Sequence, residues 1–184
     1  MSANRRDVIR LGAAGVALAA GGLTPAQAYA QGAPIRNLGS RAVRLLEAFG
    51  EALAPGAKEA GIAHYVDAQL GKDPADSLLM IRYMDVPPPH GPFYEAGLRA
   101  LDVAARTRFD ETFTRLTDEQ RTGFIADLSR QPPEGWPPPP DAPPSPLFYF
   151  VVRADAVDVV YGTEAGFERL GVPYMPHIYP ETRW

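Results

Sequence analysis

Residues 93–130 read FYEAGLRALDVAARTRFDETFTRLTDEQRTGFIADLSR and carry the clearest helical pattern in the chain. Apolar residues recur at steps of three and four from Phe93 to Leu116, which predicts an amphipathic helix with a bend before its last turns. Thr117 and Gln120 then have the spacing of a capping box, so a second helix is predicted from about Asp118. The segment predicts two packed helices, and it groups no catalytic side chains.

Helical patterns also lie on both sides of this pair. In each of them apolar residues recur at helical steps beside residues that commonly start or end a helix. The predicted helices cover Arg41–Leu53 after an N-cap at Ser40, Ala57–Leu70 before a left-handed Gly71, Ala75–Met84 after Asp73-Pro74, and Leu147–Tyr161 after Ser145-Pro146. A strand is the alternative for Ala75–Met84, and Leu147–Tyr161 is apolar enough to be buried. We therefore expect an all-α fold, a small irregular helical domain.

The fold is expected to include a proline-rich loop and an extended C-terminal tail. Nine of the sixteen residues in 131–146 are proline, which predicts an extended chain that runs along the surface. The loop that contains Trp136 lies across the surface of a partner, or Trp136 packs on its own domain. The second reading is favoured. Residues 162–184 have no sustained period. The residues assigned to a partner interface are Trp136, Tyr174, Met175, Tyr179 and Trp184.

Length and composition restrict the possible classes of protein. The chain has 184 residues, enough for one domain with one core, and no cysteine. Disulfides, thiolate zinc sites and cysteine-ligated iron–sulfur clusters are therefore excluded. The formal charge is −4, and because residues 1–30 carry three arginines against one aspartate, the remainder carries −6. Such a balance argues against a nucleic-acid partner.

Residues 1–30 have the composition of a twin-arginine signal peptide. Arg5 and Arg6 precede Leu11–Leu23, an apolar run of thirteen residues, and small residues suited to cleavage stand at Ala28 and Ala30. The run is shorter than the roughly 20 apolar residues of a transmembrane helix. We expect export to the periplasm and a single helical domain over residues 31–184.

The polar residues predict no catalytic, cofactor-binding or metal site. His64 and Asp67 share a helix face, but two ligands do not make a metal site, so His64 is read as half-exposed and Asp67 as a capping or salt-bridge partner. Asp102 and the other helical carboxylates have the spacing of a solvated face. Two alternatives stay open: a standalone periplasmic binding or scaffold protein, and a small metal-dependent enzyme in which His64, His90 and His177 converge.

Three features together resemble one known family. They are the arginine pair, the segment PGAKEAGI…YVD…QL within residues 55–70, and YEAGLRALD…F…LT…Q within residues 94–120. Their order and spacing resemble the gluconate 2-dehydrogenase subunit 3 family, the small or gamma subunit of membrane-associated FAD-dependent dehydrogenases. The C-terminal end departs from the pattern, since Tyr161-Gly162-Thr163-Glu164 stands where many members have Tyr-Gly-Gly-Asn.

The resemblance implies a mostly helical subunit that carries no cofactor and performs no chemistry of its own. It implies a catalytic partner of the glucose–methanol–choline type that holds FAD and oxidises a sugar, polyol or gluconate. The small subunit would help this partner to fold and would escort it through the twin-arginine translocon. A multihaem cytochrome c subunit would receive the electrons. The resemblance therefore implies a periplasmic complex that can be peripheral to the inner membrane.

Overall fold

The computed structural model describes residues 22–173, and within that range all regular secondary structure is helical. The prediction of an all-α fold is confirmed. Three short 3₁₀ turns lie between the helices, at Pro74–Asp76, Met80–Tyr83 and Phe113–Arg115. The helices are α1 (Pro25–Ala30), α2 (Ser40–Leu53), α3 (Ile62–Leu70), α4 (Gly91–Phe109), α5 (Asp118–Leu128), α6 (Ser145–Tyr161) and α7 (Glu164–Arg169).

Helix α6 lies at the centre and contacts α2, α3, α4, α5 and α7. Its sequence, SPLFYFVVRADAVDVVY, has apolar residues on most sides, as a helix surrounded by others requires. The prediction of a buried helix here is confirmed. The predicted cap is wrong, because Pro144 is the N-cap residue and the Ser145 hydroxyl is buried without a hydrogen-bond partner.

Aromatic rings fill the contact between α2, α4 and α6. The Phe49 ring stacks on Phe148 at a centroid distance of 5.6 Å, and Phe113 meets Phe49 edge-on at 5.7 Å. Gly97 of α4 faces the Phe148 ring so closely that a Cβ atom there would overlap it. The absence of a side chain at Gly97 therefore lets α4 and α6 pack around Phe148.

Trp136 of the proline-rich loop joins the same cluster. Its ring lies 5.9 Å from that of Phe148, its indole N–H donates to the Pro143 carbonyl at 2.9 Å, and only 9% of the residue is exposed. The favoured reading, in which Trp136 packs on its own domain, is confirmed. Little of this side chain is left for the partner contact that the sequence also suggested.

The local capping signals were partly right. Thr117 and Gln120 form the predicted capping box, and α5 begins at Asp118. However, Ser40 is not a cap, because Gly39 occupies the N-cap position of α2. The long central helix stops at Phe109, where Asp110 turns into the left-handed region with a φ of 53°.

The structure also differs from the prediction at the helix over 57–70 and at the segment after it. Residues 57–61 form turns, and α3 starts at Ile62 because Gly61 takes a left-handed conformation with a φ of 80°. Gly71 was expected to be left-handed, but its φ is −82°. Ala75–Met84 is neither the favoured helix nor a strand, since it contains the end of one 3₁₀ turn and all of the next.

The C-terminal segment begins with a helix where the sequence predicted an extended tail. The Thr163 hydroxyl accepts from the N–H of Gly166 at 3.1 Å and so caps α7. Residues 174–184 lie outside the described part of the chain. Among residues 22–173 no helix is long and apolar enough to cross a membrane.

Candidate functional site

The candidate site is an open cleft of about 1180 Å³, which we call the α1–α7 cleft. Its lining includes the start of α1 at Thr24–Ala26, the turns around Glu59, and the end of α6 together with α7. The 3₁₀ turn Met80–Tyr83 also contributes to the lining. Several elements distant in sequence therefore meet at one concave surface, as ligand and partner sites commonly require.

The cleft combines an apolar lining with an acidic rim. Leu78 and Tyr83 line it, although 44% and 59% of these residues remain exposed, and Val159 and Val160 form part of its inner surface. Large apolar side chains left in solvent at a concave site indicate a surface for a partner. Four carboxylates and one guanidinium also line the cleft, a net charge of −3, and these residues are Glu59, Asp158, Glu164, Glu168 and Arg169.

Asp155 fixes the 3₁₀ turn that forms one side of the cleft. Its completely buried carboxylate accepts from the Met80 N–H at 3.0 Å and from the Tyr94 hydroxyl at 2.6 Å. Burial raises the pKa of Asp155 to about 7, against the opposing effect of these two hydrogen bonds. Burial likewise raises the pKa of Tyr94 well above its usual value, and the nearby Asp155 adds to this shift. The network holds α4, α6 and the turn in fixed relation.

Tyr65 supports the same turn from α3. Its hydroxyl donates to the Leu78 carbonyl at 3.1 Å, while the Leu78 N–H donates to the Gln69 side chain at 2.9 Å. Burial is also the main reason that the pKa of Tyr65 is raised above its usual range. Leu78 thus has a fixed backbone and an exposed side chain, an arrangement that presents an apolar group to a partner at little entropic cost.

Asp67 positions the segment that leads into α2. One of its carboxylate oxygens accepts from the backbone N–H groups of Arg36, Asn37 and Leu38 at 3.1, 2.5 and 3.1 Å. Asp67 was predicted to be a capping or salt-bridge partner, but the N–H groups that it binds precede the N-cap residue Gly39 of α2 and lie 29 to 31 positions away, so it fixes a loop. His64 was expected to be half-exposed, but it is 8% exposed and its Nε2 lies 3.0 Å from the Ala33 carbonyl oxygen.

Asp102 is buried, so its assignment to a solvated face was wrong. Its carboxylate accepts from the Phe113 N–H at 2.9 Å and pairs with Arg41 at 2.6 Å and Arg106 at 3.4 Å. Desolvation, the largest single effect, raises the pKa of Asp102, but the hydrogen bonds from these three residues together lower it. Asp102 therefore anchors the 3₁₀ turn after α4 to α2 and α4.

The other sequence-assigned residues within 22–173 do not line this cleft. Ala28 is fully buried in α1, and Ala30 ends that helix. His90 is buried with its Nε2 3.1 Å from the Val86 carbonyl oxygen, and His177 lies outside the described residues. Nowhere in residues 22–173 do three His, Asp or Glu side chains gather to hold a metal ion. Six further assigned residues lie outside that range: Arg5, Arg6, Tyr174, Met175, Tyr179 and Trp184.

Comparison with known families gives one match. The family model for gluconate 2-dehydrogenase subunit 3 matches residues 41–180. The chain belongs to this family. A member of the gluconate 2-dehydrogenase subunit 3 family is an accessory subunit of a dehydrogenase complex. No curated protein and no solved structure matches the chain.

The subunit 3 region covers most of the cleft. Residues 41–180 include the 3₁₀ turn, the end of α6 and all of α7, whereas the wall at Thr24–Ala26 precedes the match. Sequence reasoning missed this cleft, because local patterns do not show which separate segments of the chain meet. The charged residues inside the most apolar helix, Arg153, Asp155 and Asp158, were an available signal, because any of them that is buried requires a partner.

Proposed function

We propose that this chain is the non-catalytic small subunit of a periplasmic FAD-dependent dehydrogenase of the glucose–methanol–choline type. It assists the folding of the catalytic subunit and escorts it through the twin-arginine translocon. The observation that carries the proposal is the family match over residues 41–180. The substrate class we assign to the complex is a sugar, polyol or gluconate.

The hydrogen bonds that three buried aspartates accept from the backbone support a scaffold role. Asp67, Asp102 and Asp155 each accept a hydrogen bond from the backbone N–H of a connecting segment. A buried carboxylate with such partners is a structural device that fixes the course of the chain. The apolar side chains exposed at the α1–α7 cleft, chiefly Leu78 and Tyr83, supply a surface that a larger subunit can cover.

The proposed complex divides the chemistry among its subunits. The catalytic subunit holds FAD, and a multihaem cytochrome c subunit accepts the electrons, so this chain needs no redox group. The complex is periplasmic and can be peripheral to the inner membrane. Arg5 and Arg6 supply the export signal for the subunit and its passenger, with cleavage assigned near Ala28 or Ala30.

A deletion and rescue experiment in the native host tests the escort role. Without this chain, FAD-dependent dehydrogenase activity should disappear from the periplasm, and the catalytic polypeptide should remain inside the cell. Wild-type chain should restore export, while a variant with Arg5→Lys and Arg6→Lys should not. Arg153→Lys, at an exposed site on α6, is the matched control and should restore it. Normal export without the chain would refute the proposal and favour a standalone binding protein.

A further inference from the structure

The α1–α7 cleft and the apolar leader are adjacent in the chain. The wall at Thr24–Ala26 directly follows the run Leu11–Leu23, so the leader enters the structure at the cleft itself. This run has no polar face, and thirteen such residues in water expose a continuous apolar surface. The cleft that Thr24–Ala26 help to line exposes apolar side chains that can cover the run, chiefly Leu78 and Tyr83.

Charge favours the leader over other occupants. The cleft lining carries a net charge of −3, and the segment before the apolar run carries Arg5, Arg6 and Arg10 against a single Asp7. The other nearby segment, residues 174–184, has one glutamate and one arginine, so it offers the acidic rim no net charge. Opposite charges within a Debye length of about 10 Å attract, most strongly where water is partly excluded.

The environment of Asp158 indicates that water is partly excluded from the cleft. Its side chain is accessible to solvent, yet it stands in the concave wall, and desolvation raises its pKa above the ordinary value. The size of the cleft also favours a peptide. At about 1180 Å³ it exceeds the roughly 300–1,000 Å³ of typical small-molecule sites.

We propose that the α1–α7 cleft binds the chain's own leader, with residues 11–21 on the apolar lining and the arginines at the acidic rim. Together with the proposed function, this has a consequence for export. The leader and the catalytic subunit compete for one surface, so a subunit without a partner conceals its arginine pair. Export then waits for assembly.

Cysteine labelling of the full-length chain tests this docking, since the protein has no cysteine of its own. Leu78→Cys places a thiol in the cleft, and Phe150→Cys is the matched control, because both residues are 44% exposed and Phe150 is not part of the cleft lining. Tyr83→Cys is a second probe in the cleft. The measured quantity is the rate of reaction with a maleimide.

The leader is then altered in each labelled protein by Leu11→Asn, Val16→Asn and Leu18→Asn. The reaction at Leu78→Cys and Tyr83→Cys should become about tenfold faster or more, which corresponds to about 1.4 kcal/mol of lost protection. The reaction at Phe150→Cys should not change. In the proteins with the unaltered leader, added salt should also speed labelling of the cleft cysteines. Salt screens the attraction between the leader arginines and the acidic rim.

Two results would overturn the inference. Equal rates at the cleft probes with and without the leader changes would mean that the leader does not cover the cleft. A faster reaction after Met175→Asn and Tyr179→Asn, with no response to the leader changes, would assign the cleft to the tail. Both results are obtained on the isolated chain without export or a partner, so they do not depend on whether the escort role is correct.

Discussion

Replacing Asp155 by asparagine should remove a large pH dependence from the stability of this protein. The Asp155 carboxylate is completely buried, and its folded-state pKa of about 7 lies well above the ordinary value of 3.8. Between about pH 4 and about pH 7, Asp155 therefore keeps its proton in the native protein and loses it in the unfolded chain. Since the native state binds the proton more tightly, the free energy of unfolding falls as the pH rises from about 4 to about 7.

The size of the effect follows from the two pKa values of Asp155. Each pKa unit corresponds to about 1.4 kcal/mol, so the shift from 3.8 to about 7 amounts to about 4 kcal/mol. Asparagine keeps an oxygen that can accept from the Met80 N–H or the Tyr94 hydroxyl, but it carries no charge to titrate. The stability of the wild type relative to Asp155→Asn should thus fall by about 4 kcal/mol between about pH 4 and about pH 8.

Urea unfolding, followed by far-UV circular dichroism at a series of pH values, measures this difference. Subtracting the variant removes the titration of all groups that the two proteins share. Tyr94→Phe provides a second readout, because loss of a hydrogen bond to the charged form raises the pKa of Asp155 further and moves the decline to higher pH. A difference that stays constant with pH, or that favours the wild type as the pH rises, would refute the reasoning.

Two further predictions concern packing and chain order. Gly97→Ala should lower the free energy of unfolding by about 1–3 kcal/mol, because the added Cβ would overlap the Phe148 ring. Gly123→Ala, at an open position in α5, should raise the free energy of unfolding by about 0.5–1 kcal/mol. Urea unfolding of both variants measures these changes, and equal effects of the two substitutions would contradict the prediction. Asp67→Ala should speed tryptic cleavage after Arg36 under native conditions, because three backbone N–H groups lose their common acceptor, and an unchanged cleavage rate would count against that role for Asp67.

The sequence was sufficient to locate the start of α5 and to predict the buried helix α6. The capping box of Thr117 and Gln120 lies within one helical turn, so its spacing alone located the start of α5. The buried helix α6 was predictable because its apolar residues exceed what one helix face can hold. The family resemblance, taken from motifs within residues 55–120, agreed with the match over 41–180.

The sequence was insufficient wherever a residue depends on a distant partner. Asp102 has the spacing of an exposed helical carboxylate, yet its partner Arg41 is 61 positions away. The start of α3 depends on Gly61, where a Cβ would collide with the backbone of Pro25, a contact between separate segments. The cleft is lined by separate segments within residues 24–26, 56–65, 78–83 and 158–169, so neither its shape nor its net charge could be predicted from local patterns.

The most direct test of the proposed role is the composition of the complex that contains this chain. The tagged full-length product would be purified from the periplasm of the native host, and its subunits and visible spectrum would be recorded. We expect a stoichiometric larger polypeptide with flavin absorbance. A colourless single chain, purified alone while the flavoprotein is exported without it, would refute the proposed role.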